Sequence, residues 1–290
     1  MSTHSLDSRG IANFDLYPYV PSAAAGWTFV VLFGIVAVVH LAFMITLRSW
    51  FFIPFILGCI GEAGGYYGRA WSHQNIRNGT PYLIQMMLTL GSAPLLAGTV
   101  YMTLGRFIRG LDAEEHAPIS SRKITKPYVF IDVASFVCQI FGSAAQASGA
   151  EGARKGMLIV VGGLGIQLFA FVCFIGMGTI FHRKLNREPT ATSSRPHVNW
   201  RRHMWTLYAV STLILVRTIF RFIEFAVGAD GSLYKTEALI YVFDASLLFA
   251  TTVCLALVHP GMLLRSIRKA DVMPLSDNDK SVVPLNQYGE

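Results

Sequence analysis

Eight ionisable side chains sit inside long apolar runs of this 290-residue sequence: Glu62 and Arg69, Asp132, Arg217, Arg221 and Glu224, and Glu237 and Asp244. A charge at depth in a membrane helix costs several kcal/mol on insertion scales, so such residues mark function or an internal ion-pair lattice. Their spacing is regular. Glu62 and Arg69 are seven residues apart, as are Glu237 and Asp244, while Arg217, Arg221 and Glu224 follow an i, i+4, i+7 pattern. Each set therefore shares a helix face. Asp132, Gln139 and Gln146 repeat the seven-residue step. The economical arrangement turns these four polar stripes toward one interior. Five carboxyls among three guanidiniums can lock helices together or receive a cationic headgroup. With a carboxyl as general acid, they can also act on an apolar substrate. At ~1.5 Å of rise per residue, Glu62, Arg217 and Asp244 fall near mid-bilayer, and Arg69 and Arg221 in the outer half. Glu224 and Glu237 fall nearer the outer surface, and Asp132 toward the cytoplasm. The expectation is a polar cavity inside the bundle, displaced outward, with Arg217 and Arg221 able to satisfy Glu62 and Asp244.

The elements that must position these residues are helices. Hydrophobic residues make up 53% of the chain and charged residues 14%, against about 25% charged in soluble domains. That composition excludes a soluble domain, disorder, collagen and a coiled coil. Seven runs reach the ~20 mostly apolar residues that a span requires. They lie near Ala23–Leu47, Trp50–Ser72, Tyr82–Phe107, Pro127–Gln146, Gly156–Phe181, His203–Val227 and Thr236–Leu264. The fold class expected is an all-α membrane protein, a bundle of seven transmembrane helices. Sixteen of the 24 Lys and Arg residues fall in connections on one side and five on the other. By the positive-inside rule the N-terminus is outside and the C-terminus cytoplasmic. The expected division is an extracellular tail over 1–21, a membrane domain over 22–265 and a flexible cytoplasmic tail over 266–290. The net charge of +7 is read as cytoplasmic loop charge rather than a nucleic-acid footprint, with anionic lipid contact a secondary possibility. The first apolar run is too long for a signal peptide and reads as a retained helix.

Several smaller features have bland readings. Gly61, Gly64, Gly65 and Gly68 form small-xxx-small pairs that suit close helix packing, or that open space beside Glu62. Tyr66 and Tyr67 read as interfacial anchors. Pro54 and Pro94 are expected to kink their helices, and His259-Pro260-Gly261 to stop the last one. His40 reads as packing or a hydrogen bond. Cys59, Cys138, Cys173 and Cys254 each lie in an apolar run without a C-x-x-C pair, so neither a disulfide framework nor a metal site is expected. The sequon at Asn78 lies against a helix and is expected to stay unglycosylated. No nucleotide-binding loop, nucleophile elbow or zinc-protease motif is present, no internal repeat indicates an inverted-repeat transporter, and no cofactor is expected.

The runs Gly61–Arg69, Gln85 to Leu96 and Tyr101–Arg106 resemble the fungal lipid-translocating exporter family, the RTA-like proteins. The resemblance continues through Asp132-Val133, Gln139, Gly142 and Gly165-Ile166-Gln167. It is strongest over Arg217–Phe225, ends with Glu237, Tyr241, Asp244 and His259-Pro260-Gly261, and covers nearly all of Trp27 to Met262. It implies a fungal seven-helix membrane protein, in a family associated with export of sphingoid bases, resistance to toxic amphiphiles and, in one case, porphyrin traffic. With the outside N-terminus it favours the plasma membrane over the vacuole.

The function expected is an exporter or translocase of amphiphiles, with membrane lipids or amphiphilic small molecules as partners. Its substrate would contact Glu62, Tyr66, Arg69, Asp132, Gln139, Arg217, Arg221, Glu224, Glu237, Tyr241 and Asp244. The alternatives are a seven-helix receptor or sensor, with a partner docking near Arg122 and Arg201, and a membrane cyclase or isomerase using Glu62 and Asp244.

Overall fold

The computed structural model describes residues 15–146, 150–227 and 236–272, all of whose regular structure is helical. The expected tails over 1–14 and 273–290 lie outside the described residues. Seven long helices run in chain order: α1 (Ala23–Thr46), α2 (Ile53–Ser72), α3 (Gly79–Gly110), α4 (Ser121–Gln146), α5 (Ala150–Arg187), α6 (Trp200–Val227) and α7. α7 comprises Glu237–Ile240, a π-helical turn at Tyr241–Ala245, and Ser246–Leu257. A shorter helix, α8 (Pro260–Val272), follows it.

Among the described residues, five segments are long and apolar enough to cross a membrane, covering α1, α3, α4, α5 and the α7–α8 stretch. The two remaining long helices, α2 and α6, carry five of the eight charges singled out in the sequence, and those charges dilute their apolarity. Large apolar side chains such as Val38, Phe130, Phe141, Phe169 and Leu257 face outward, while Glu62, Arg69, Asp132, Arg217 and Asp244 are buried. This is the polarity expected of a bundle solvated by lipid.

Local chemistry sets the helix ends. Ser22 caps α1, its hydroxyl accepting from the Ala25 N–H at 3.3 Å, and Asn78 caps α3, accepting from Thr80 at 3.1 Å. The Asn78 amide is thus engaged in holding a helix end. Pro54 stands in the first turn of α2, where no intrahelical donor is lost, so the expected kink there is absent. Pro94 is interior to α3, and so is Pro127 to α4, which starts six residues before the expected Pro127. α5 begins before and continues past its apolar run, because polar helix ends carry no hydropathy signal. The last expected helix is broken at Val258–His259. His259 is buried and its Nδ1 accepts from the Gly261 N–H at 3.1 Å, capping a new helix with Pro260 at its first position.

α2 packs closely on α3 and α1, α4 on α5, and α6 on α5 and α7. The glycines of α2 make the α2–α3 contact possible. A Cβ at Gly65 would lie 2.5 Å from Thr89 Cγ2, and one at Gly68 2.8 Å from the Pro81 carbonyl oxygen. Packing, not ligand space, accounts for them.

Candidate functional site

The buried charges form three linked groups. The first surrounds Arg69, whose side chain is 1% exposed. Its Nη2 donates to Tyr19 Oη at 2.8 Å and to Glu237 Oε1 at 3.2 Å, and its Nε donates to Tyr241 Oη at 3.0 Å. The rings of Tyr17, Tyr19 and Tyr241 stand 5.1–5.9 Å from the guanidinium, within cation–π range. Glu237 Oε1 also accepts from the Ser22 N–H at 2.8 Å, so one carboxylate ties the start of α1 to α2 and α7. Residues 15–22 therefore strap this end of the bundle. Tyr17 is buried, donates to Gln85 at 2.7 Å and lies 3.0 Å from Ser72 Oγ; His73 Nδ1 lies 2.8 Å from the Pro21 carbonyl oxygen. Burial raises the Tyr19 phenol above its ordinary pKa although the Arg69 charge opposes it. It remains a neutral partner to the guanidinium.

The second group sits deeper, between α2, α6 and α7. Arg217 Nε lies 2.6 Å from Asp244 Oδ1, both buried, in an ion contact whose angles fall short of a hydrogen bond. Arg221 pairs with Glu224 along α6, Nη1 donating to Oε2 at 2.8 Å, and lies over Phe225 at 5.1 Å. Glu62 is 0% exposed, and neither carboxyl oxygen has a hydrogen-bond partner. Arg217, Asp244 and Arg221 are its charged neighbours. The expectation that Glu62 and Asp244 share two arginines is half met: Asp244 takes Arg217, Arg221 turns to its own helix, and Glu62 is left over. Tyr66, above Glu62 on α2, is 1% exposed and stacks on Phe33 at 6.0 Å, with its hydroxyl unpartnered. It is an interior residue, not an interfacial anchor. Tyr67, 46% exposed and edge-on to Trp27, has the anchor's exposed setting.

The third group joins α3, α4 and α5. Asp132 is buried beside Tyr101 and Gln167. Gln139 and Gln167 line a cavity of about 20 Å³ together with Arg217, Arg221, Leu90 and Pro94, space for about one water. Pro94, interior to α3, cannot donate to the Leu90 carbonyl four residues earlier. The side chain of Gln146 lies outside the described residues. Glu62, Arg217, Arg221, Glu224 and Asp244 thus come together, but in this conformation each arginine closes on an acid other than Glu62, and the void beside Arg217 is far too small for an amphiphile.

Glu237 and Asp244 do not act as one stripe. Glu237 precedes the π-helical turn and pairs with Arg69 of α2, while Asp244 lies within the turn and pairs with Arg217 of α6. The Ser246 hydroxyl donates to the Tyr241 carbonyl at 2.8 Å, helping to satisfy the widened turn. Tyr17 and Tyr19 were not legible as site residues. The available signal was an aromatic pair flanking Pro18, just before α1. Among the described residues no group of His, Cys, Asp and Glu is placed to hold a metal, and the four cysteines are free. His40 Nε2 lies 3.0 Å from the Thr252 carbonyl oxygen, a structural tie.

Fold and site together define a polytopic helical membrane protein with an internal ion-pair network. The chain belongs to the RTA1-like family: the model described as "RTA1 like protein" matches residues 55–267. It is 32% identical to Protein RTA1 of Saccharomyces cerevisiae over 272 residues, covering 85% of each chain. It is 34% identical to Protoporphyrin uptake protein 1 of the same yeast over 269 residues, covering 81% of this chain and 88% of the relative. It is 24% identical to a sphingoid long-chain base transporter, RSB1, of S. cerevisiae over 282 residues, covering 85% and 73%. No solved structure matches it. These relatives support a role in membrane transport of lipids or amphiphiles.

Proposed function

We propose that this protein translocates amphiphiles with a cationic head, of the sphingoid-base kind, and thereby confers resistance to them. In this reading it is a seven-span bundle of the plasma membrane, N-terminus outside and C-terminus cytoplasmic, and it acts as a carrier rather than an enzyme. The observation that carries the reading is Glu62, a fully buried carboxyl whose oxygens have no partner, on a helix facing α6 and α7. A carboxylate is the natural receptor for an ammonium group. Asp244, Glu224 and Glu237 extend acidic character along α6 and α7 toward the Ser22 end, while the aromatic rings of Tyr66 and Tyr241 lie alongside. Arg69, Arg217 and Arg221 hold those acids when no substrate is present, and Asp132 and Gln139 flank the void beside Arg217. The sphingoid-base transporter among the relatives supports this substrate class. The one-water void requires the ion pairs to open during transport.

The test is transbilayer movement of a fluorescent sphingoid base in liposomes containing the purified protein. Wild type is expected to accelerate it, and folded Glu62→Gln and Arg217→Ala variants to lose the acceleration. No acceleration by wild type at any pH or ion gradient refutes the reading.

A further inference from the structure

We propose that Glu62 is a proton-binding site, and that the ammonium head of a transported base displaces its proton, so that export exchanges base for proton. This rests on the translocase reading above and adds its energy coupling. Among the described residues, and leaving aside Arg201 and Arg202 in the first turn of α6, the helices α2, α6 and α7 together carry four acids and three arginines. Each arginine has its own acid: Arg69–Glu237 at 3.2 Å, Arg217–Asp244 at 2.6 Å and Arg221–Glu224 at 2.8 Å. Glu62 is the surplus acid, completely buried and without a donor to either oxygen. An ionised carboxylate in that position would lack water and would have to share arginines already paired with Asp244 and Glu224, which is far costlier than a carboxylic acid. The surroundings offer little else. From α6 the groups facing it are Arg217 and Arg221, and from α7 Asp244; Cys59 and Tyr66 lie near it on its own helix. The sole titratable residue of α1 is His40, tied to Thr252. The charges of α3, Arg106 and Arg109, are at its far end from the Gly61–Ser92 contact.

The step balances without an oxidant or reductant. The O–H bond of the Glu62 carboxyl breaks, its proton passes to water, and the electron pair remains on the oxygen, which pairs with the incoming ammonium. On the releasing side a proton from water returns to that oxygen and the base leaves. The π-helical turn that holds Asp244 against Arg217 is the element able to shift with this exchange, since such turns sit in helices at functional positions.

The test uses the full-length chain in weakly buffered detergent micelles containing a pH indicator. Sphinganine is added, binding is followed by tryptophan fluorescence, and protein-free micelles are subtracted. Wild type is expected to release a proton for each base bound, Glu62→Asp to retain the release, and Glu62→Gln to lose it. An N-acylated, uncharged analogue is expected to release none. Infrared spectra of wild type give a second readout: a carboxylic-acid carbonyl band that disappears when sphinganine binds. This measurement holds even if Glu62→Gln does not fold. Base binding by wild type without proton release, or release undiminished in folded Glu62→Gln, overturns the exchange and leaves the translocase reading standing. Failure of wild type to bind any base overturns both.

Discussion

Neutralising Asp244 tests the whole charge arrangement through stability alone. In Asp244→Asn, Arg217, 6% exposed, loses the carboxylate 2.6 Å from its Nε. Breaking one side of a buried pair costs about 3–5 kcal/mol when the orphaned charge has no substitute. Here a substitute is adjacent, because Glu62 borders the same guanidinium and has no partner of its own. If Glu62 gives up its proton and takes Arg217, the loss falls to about 1–2 kcal/mol, the upper end of measured polar couplings in membrane bundles. Glu62→Gln alone replaces one neutral unpaired group by another of similar shape, within about 0.5 kcal/mol of wild type. The double variant removes both possible partners and is expected to show the full loss of about 3–5 kcal/mol. The cycle thus predicts strong non-additivity, with the double variant worse than the sum of the singles. Reversible unfolding in mixed micelles, followed by tryptophan fluorescence, measures all four proteins. Additive losses, or a Glu62→Gln loss as large as that of Asp244→Asn, would falsify the assignment of Glu62 as the surplus acid.

Other consequences follow from geometry described above. Gly65→Val drives side-chain atoms into Thr89, whose Cγ2 is already 2.5 Å from an ideal Cβ. A stability loss of about 1–3 kcal/mol or more is expected from such overpacking, and a wild-type-like unfolding midpoint would contradict the close α2–α3 contact. Tyr19→Phe deletes the 2.8 Å partner of Arg69, which should cost about 1–3 kcal/mol as a hydrogen bond to a charged group. It should also speed proteolysis of the 15–22 strap relative to the rest of the chain. Asn78 spends its side chain on the α3 cap, so the mobility of protein expressed in a glycosylating host should not change on endoglycosidase treatment. Asn78→Ala should destabilise by about 1 kcal/mol.

Much of this arrangement was legible because charge is so costly in an apolar helix that its position carries information. Glu62, Arg217 and Asp244 were placed at one level from rise per residue alone, and they meet there. What spacing could not provide was pairing. Arg221 can reach Glu224 three residues on along its own helix or an acid such as Asp244 on the next one, and only the packing of α6 decides between them. The π-helical turn at Tyr241–Ala245 was also invisible, since a seven-residue step reads as one face on an unbroken α-helix. Helix ends escaped for a different reason: the first turns of α4 and both ends of α5 are polar, and hydropathy stops where the apolar run stops. The break at His259 was read as an ending when it is also a cap, because Pro260 suits the first turn of a following helix as well as the close of a preceding one. Tyr19 acquires meaning only once Arg69 is seen to need an accepting oxygen from outside its own helix, and Tyr17 once its ring is seen beside the same guanidinium.

The π-helical turn also has a genetic consequence. It accommodates one residue more than an α-helical path needs, and one residue is worth about 100° of rotation. Deletion of a single residue between Tyr241 and Ala245 would let α7 close into continuous α-helix instead of disrupting it. The change would be heard at both ends: Glu237 could keep Arg69 only if Asp244 swung away from Arg217, and the reverse. A frame of one amino acid therefore sets the phase between the two ion pairs, making this short stretch the place where a length change, rather than a substitution, would uncouple the strapped end of the bundle from its charged centre.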